Sequence, residues 1–181
     1  FPIPGGPTLL RPDRRPPGGD PTMRLAFPAP EFTPPLWFHL VAVLFLSITG
    51  ALAAMRRHYD IIGTFTLAFV AGLGGSLLRD GLFLQAGPPV ILRNGEYLIA
   101  VLAGCLISYL LSDRLERYRL VFNIFDAIGL AVYALVGTQM ALKGQLSAPA
   151  AVLVGMVNAV GGGVLRDVLI REEPLLFKQI G

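Results

Sequence analysis

The stretch Gly74-Gly75-Ser76-Leu77-Leu78-Arg79-Asp80 returns 87 residues later, in the same frame, as Gly161-Gly162-Gly163-Val164-Leu165-Arg166-Asp167. At that offset Phe38 also falls on Phe125, Gly50 on Gly137, Ala54 on Ala141 and Arg56 on Lys143, without a gap. A shared Gly or Ala arises by chance, but a shared Gly-Gly-x-x-Leu-Arg-Asp hardly does. The chain is therefore built on an internal repeat. Each copy of the motif closes a long apolar block, so the block lengths decide what the repeated unit is.

There are five such blocks: residues 36–55 with His39 as a polar break, 61–78, 97–112, 120–142 containing Asp126, and 148–165. A helix needs about 20 apolar residues, within a range of about 17–25, to cross the hydrocarbon core. A transmembrane barrel would instead show strands of alternating polarity, each about ten residues long. The whole chain agrees with the helical reading. Of 181 residues 54% are hydrophobic and 15% charged, and the mean hydropathy is +0.63. So few charges cannot cover the surface of a soluble chain of this size. An ordinary cytosolic enzyme, an intrinsically disordered protein and a nucleic-acid-binding module are excluded. The net charge of +3 comes from basic residues lying between the blocks, which form no continuous patch for phosphates. The single Cys105 leaves no intrachain disulfide and no cysteine metal cluster.

The repeat unit holds three spans, residues 36–112. A link, residues 113–119, joins it to a second unit over 120–181. An odd number of spans makes the second unit enter the membrane from the other side, the inverted plan of transporters and some channels. The predicted fold is thus an all-α membrane protein of inverted three-helix repeats. The counterpart of the third block would begin near residue 183, while the sequence ends at Gly181, so the second repeat is expected to be truncated before its third helix. Residues 1–35 hold 11 of the 15 prolines and four arginines and are expected to form a disordered Pro/Gly-rich tail. They lack the apolar core of a signal peptide, and Met23 is a candidate true start in place of Phe1. The links after blocks one, three and five carry seven basic residues against two in the alternate links. The richer set is expected to be cytoplasmic, with the N-terminus outside; the tail's four arginines oppose this unless the chain starts at Met23.

Consecutive glycines cost a helix about 1 kcal/mol each relative to Ala. Irregular backbone at membrane depth survives only when buried in protein or lining a wet cavity. Gly74, Gly75 and Ser76, with Gly161, Gly162 and Gly163, are therefore expected to kink the second and fifth helices over a pore or substrate site. Close helix packing is the alternative, since Ala68, Gly72 and Ser76, and likewise Gly155, Ala159 and Gly163, form small-residue stripes. Neighbouring residues of a helix do not face each other. The pseudo-two-fold accordingly suggests that Arg79 meets Asp167 and Arg166 meets Asp80, as structural ion pairs or as lining. Asp126 would attract cations, relay protons or cap a broken helix, unless it sits at headgroup depth beside Arg119. Asn158 would offer an amide oxygen to a permeant, or bond across helices. No nucleophile–base pair, metal-ligand set or nucleotide loop is present, so the chain is not expected to be an enzyme or to hold a cofactor.

Gly-Gly-x-x-Leu-Arg-Asp at the ends of the second and fifth spans, with Phe125-Asp126-Ala127-Ile128-Gly129 in the fourth, resembles the bacterial trimeric intracellular cation channels. The resemblance covers roughly residues 36–178. It implies seven spans (two inverted three-helix repeats and a final helix), a homotrimer in the bacterial inner membrane and a pore inside each subunit. It also implies conduction of monovalent cations, K+ chiefly and Na+ as another permeant, past kinked second and fifth helices. By position, Gly74, Gly75, Ser76, Gly161, Gly162 and Gly163 would be the kinks, with Arg79, Asp80, Arg166 and Asp167 beside them. Ser76 departs from the family's third Gly. The doubled domain also carries the historical label of a glycine transporter domain. A secondary transporter of a small zwitterion such as glycine remains the alternative, and a scaffold protein a third. The expected partners are the lipid bilayer and two further copies of the chain, and no nucleic acid.

Overall fold

A computed structural model of the chain describes residues 34–85, 88–89, 93–115 and 119–174. The predicted tail apart from its last two residues, residues 116–118 of the link and the segment holding Lys178 lie outside the described residues. Among the described residues there are five α-helices: α1 (Leu36–Arg56), α2 (Ile61–Leu78), α3 (Glu96–Leu115), α4 (Arg119–Lys143) and α5 (Ala148–Leu169). A six-residue π-helical segment, Arg79–Leu84, continues α2.

Local chemistry sets the helix ends. Pro35 supplies the extended φ of −65° in front of α1. The Asp60 carboxylate accepts from the Gly63 amide at 2.7 Å and caps α2. A proline in the first turn of α5 follows Ser147, where a missing amide costs nothing. His58 and Gln85 take positive φ of 56° and 43° and end the helices before them. Four helices, Leu36–Arg56, Ile61–Leu84, Phe122–Lys143 and Ala148–Leu169, are long and apolar enough to cross a membrane. The third block is also a helix, but its apolar part, Glu96–Leu110, is shorter. The outer surface is apolar as well. Ile61 is 84% exposed, Ile62 71% and Leu110 68%, a face suited to lipid or to a further subunit rather than to water.

Helix α1 packs against α2, α3 and α4, while α2 packs against α5 and α4 against α5. The buried side of α1 is mostly small: Ala42, Ser47, Thr49, Gly50, Ala51, Ala53 and Ala54. The α2–α5 crossing is closer still. A Cβ on Gly75 would collide with the Asn158 carbonyl, and a Cβ on Gly162 with the Ala71 carbonyl. These two contacts exchange under the 87-residue offset, since 71 maps to 158 and 75 to 162. Such a reciprocal contact is what a two-fold relation between two surfaces produces. Stepping four residues back along α2 from Gly75 to Ala71 corresponds to four residues forward along α5. The two helices thus run in opposite senses past each other.

The glycines do not break their helices. Both helices stay α-helical through residues 74–76 and 161–163, and Gly74, Gly75, Gly161 and Gly162 serve close packing there. Where apolar helices meet in lipid, association depends on van der Waals approach, and Gly permits it. The departure from α geometry comes one turn later, in the π segment, and only in the first copy of the motif.

Contacts at one end of the bundle put several links on the same side. Arg57, after α1, meets Glu172, after α5, at 2.6 Å. Arg56 lies over the ring of Phe122, near the start of α4, at 5.0 Å.

Gly162→Val should destabilise the protein by about 1–3 kcal/mol or more through overpacking, whereas Gly81→Ala, where a Cβ meets nothing within 4 Å, should be neutral or stabilising. Thermal unfolding of the purified protein in detergent checks both.

Candidate functional site

Arg166 follows Gly162 by one helical turn and is 2% exposed. A guanidinium cannot shed its charge, so burial requires partners. Its Nε donates to Asp167 Oδ1 at 2.8 Å. Its Nη1 donates to Asp126 Oδ1 at 2.9 Å and to Thr49 Oγ1 at 3.0 Å. The Thr49 hydroxyl also lies 2.9 Å from the Leu46 carbonyl and 3.3 Å from Asp126 Oδ1. Two guanidiniums lie over the ring of Phe122, Arg56 at 5.0 Å and Arg166 at 5.4 Å from its centroid. A cavity of about 50 Å³ adjoins the cluster, lined by Asp126, Gly163, Arg166 and Asp167 among others. Three helices, α1, α4 and α5, therefore build one buried charged site.

The first copy of the motif builds its counterpart. Arg79, 2% exposed, donates through Nε to Asp80 Oδ1 at 2.7 Å, and its Nη2 lies 2.7 Å from the same oxygen. Asp80 is 6% exposed. The charges of Arg79 and Asp80 act on His39 of α1 and on Tyr97 of α3, and that of Lys143 acts on His39 as well.

The expected cross-pairing is thus overturned. Arg79 meets its own neighbour Asp80, not Asp167, and Arg166 meets Asp167 and Asp126, not Asp80. There are two physical reasons. An arginine is long enough to fold its guanidinium back onto the next carboxylate of its own helix. The antiparallel crossing also puts the ends of α2 and α5 on opposite sides of the glycines, so the two motifs face different ends of the bundle.

Between the clusters lies the crossing itself. Asn158 is fully buried. Its Nδ2 donates across to the Tyr133 carbonyl at 2.6 Å, while its Oδ1 has no hydrogen-bond partner among the described residues. The Tyr133 hydroxyl donates to the Gly72 carbonyl, and Ser76 donates to the Leu73 carbonyl of its own helix at 2.8 Å. Gly74 and Gly161 pack against Leu165 and Leu78, each leaving 2.9 Å for an added Cβ. Gly163 differs from its neighbours, because a Cβ there would meet only the Arg166 Nη2, at 3.9 Å.

The predicted residues therefore divide into three groups. Asp126, Gly163, Arg166 and Asp167 come together; Arg79 and Asp80 form the second cluster; Gly74, Gly75, Ser76, Asn158, Gly161 and Gly162 make the crossing. Thr49, Phe122 and Tyr133 were missed. Thr49 and Tyr133 carried a faint signal, as hydroxyls deep inside apolar blocks, and Phe122 carried none.

Asp126→Asn should cost about 1.5–3 kcal/mol of stability, because a charged partner of the buried guanidinium becomes a neutral one while Asp167 still balances it. Thr49→Val should cost only about 1 kcal/mol. Denaturation midpoints of the two variants in the same detergent would show this order; equal losses would contradict it.

Comparison with known proteins agrees with this architecture. A family model described as Glycine transporter matches residues 36–113 and 123–180. A UPF0126 membrane protein of Deinococcus radiodurans is 37% identical over 138 residues, covering 76% of this chain and 64% of that protein. A UPF0126 membrane protein of Vibrio cholerae is 36% identical, covering 73% of this chain and 55% of its own length. The chain thus spans less than two thirds of these relatives. The solved trimeric intracellular cation channel orthologue from Rhodobacter sphaeroides superposes with a TM-score of 0.73 at 30% identity, over 79% of this chain and 73% of that one. The chain belongs to the glycine transporter family, as a multi-pass membrane protein with the fold of the trimeric intracellular cation channels.

Proposed function

We propose that the protein is a channel for monovalent cations, permeable to K+, with a conduction path inside each subunit of a homotrimer. The observation that carries this reading is the pair of buried Arg–Asp clusters on opposite sides of the α2–α5 glycine crossing. In a bilayer a charged side chain is expensive, and it is kept where it meets a wet path or a partner. Here the second cluster adjoins a cavity, and its two carboxylates outnumber its buried guanidinium. Likeness to solved trimeric intracellular cation channels supports the same reading.

On this reading each cluster forms a polar vestibule and the crossing separates them. Because α2 and α5 touch at Gly75 and Gly162, conduction requires the two helices to part there, with Asn158 Oδ1 and freed carbonyls taking over hydration of the ion. The basic links after α1, α3 and α5 face the cytoplasm and the N-terminus faces outward. The inverted three-helix repeat is part of the same reading, supported by the reciprocal Gly75 and Gly162 contacts.

A transporter of a small zwitterion such as glycine is the second reading, favoured by the description of the family model. The carboxylates it would use for the amine, Asp126 and Asp80, are bound to arginines here.

Planar-bilayer recordings decide between them. The full-length protein should give discrete single-channel K+ currents that reverse at the K+ equilibrium potential. Saturable glycine uptake into proteoliposomes without channel events would establish the transporter instead.

A further inference from the structure

Tyr133, on α4, reaches both helices of the glycine crossing, and it is only 2% exposed. Its hydroxyl donates to the Gly72 carbonyl of α2, and its own carbonyl accepts from Asn158 Nδ2 of α5 at 2.6 Å. Gly72 lies one turn before Gly75, and Asn158 is the residue whose carbonyl faces Gly75. One residue of α4 therefore ties α2 to α5 beside the point where they touch. The repeat supplies no second tie of this kind. Under the 87-residue offset Tyr133 maps to Leu46, Asn158 to Ala71 and Gly72 to Ala159. Leucine and alanine side chains have no polar atom with which to form it.

The bond to Gly72 is one that α2 can release. Gly72 lies inside the helix, so its carbonyl also accepts from the amide four residues on. Losing the phenol leaves that carbonyl paired. Asn158 Oδ1 acts in the opposite sense. It is buried and has no hydrogen-bond partner among the described residues, which costs the closed crossing a desolvation penalty. Water or an ion entering between the helices would relieve it. The closed crossing is thus held by one hydroxyl and opposed by one orphaned oxygen.

We propose that Tyr133 is the latch that keeps the conduction path shut, through the bond from its hydroxyl to Gly72. The proposal rests on the channel reading above, in which α2 and α5 part at Gly75 and Gly162. While Tyr133 holds α2 and Asn158 holds Tyr133, the two helices stay together. Parting breaks the bond to Gly72, so the bond stabilises the closed state and not the open one.

Single-channel recordings of the full-length protein in symmetric K+ test this through the ratio of open to closed time. Tyr133→Phe removes the hydroxyl alone. The net worth of one such bond shifts an equilibrium by roughly two- to tenfold. The ratio should rise by that factor, with the unitary conductance of the wild type. Replacing Tyr133 alone with 3-fluorotyrosine keeps the ring and makes the hydroxyl a stronger donor, so the ratio should fall. A merely structural role for the side chain would not move the two variants in opposite directions. The fluorinated variant also keeps the proposal testable if Tyr133→Phe fails to fold. A ratio unchanged or lowered in Tyr133→Phe, a ratio unchanged or raised by fluorination, or an altered unitary conductance overturns the latch and leaves the channel reading intact. No K+ current from folded wild-type protein overturns the channel reading, and this proposal with it.

Discussion

The rest of the structure depends on the backbone contact of α2 with α5. In lipid, apolar side chains gain little by leaving one hydrocarbon environment for another, so helices associate through close van der Waals fit. Gly75 and Gly162 provide that fit, because any side chain at either position would run into the carbonyl opposite. The contact fixes how far each helix extends past the other. One turn beyond each glycine stands an arginine, Arg79 on one side and Arg166 on the other. The crossing thereby decides which partners each buried charge can reach.

Those charges account for the polar residues that line up around them. Removing a guanidinium from water costs several kcal/mol unless carboxylates and hydroxyls replace the lost hydration. At Arg166 the replacements come from three helices: Thr49 on α1, Asp126 on α4 and Asp167 on α5. The ion pairs therefore hold the bundle together as well as furnishing its polar interior. The same residues serve the fold and the proposed conduction path.

Much of this was legible in the sequence. The five helices follow from block length and hydropathy, and the doubled Gly-Gly-x-x-Leu-Arg-Asp marks the two helices that meet. The small-residue stripes pointed to tight packing, which is what Gly74, Gly75, Gly161 and Gly162 provide. Arginine pairing was not legible, because it depends on which side of the crossing each motif falls, and pairwise spacing along one helix carries no such information. Thr49 and Tyr133 looked like ordinary residues of apolar helices. Their hydroxyls acquire meaning only once Arg166 and the Gly72 carbonyl lie opposite.

The central claim is that one path runs through each subunit, with the two clusters on opposite sides of the glycine crossing. It is tested most directly by side-specific thiol modification during K+ recording, in a Cys105→Ser background. A cationic thiol reagent should reduce the current of His39→Cys when added to one face of the bilayer only, and that of Gly163→Cys when added to the opposite face only. Modification of both positions from the same face, or modification that leaves both currents unchanged, would contradict the account.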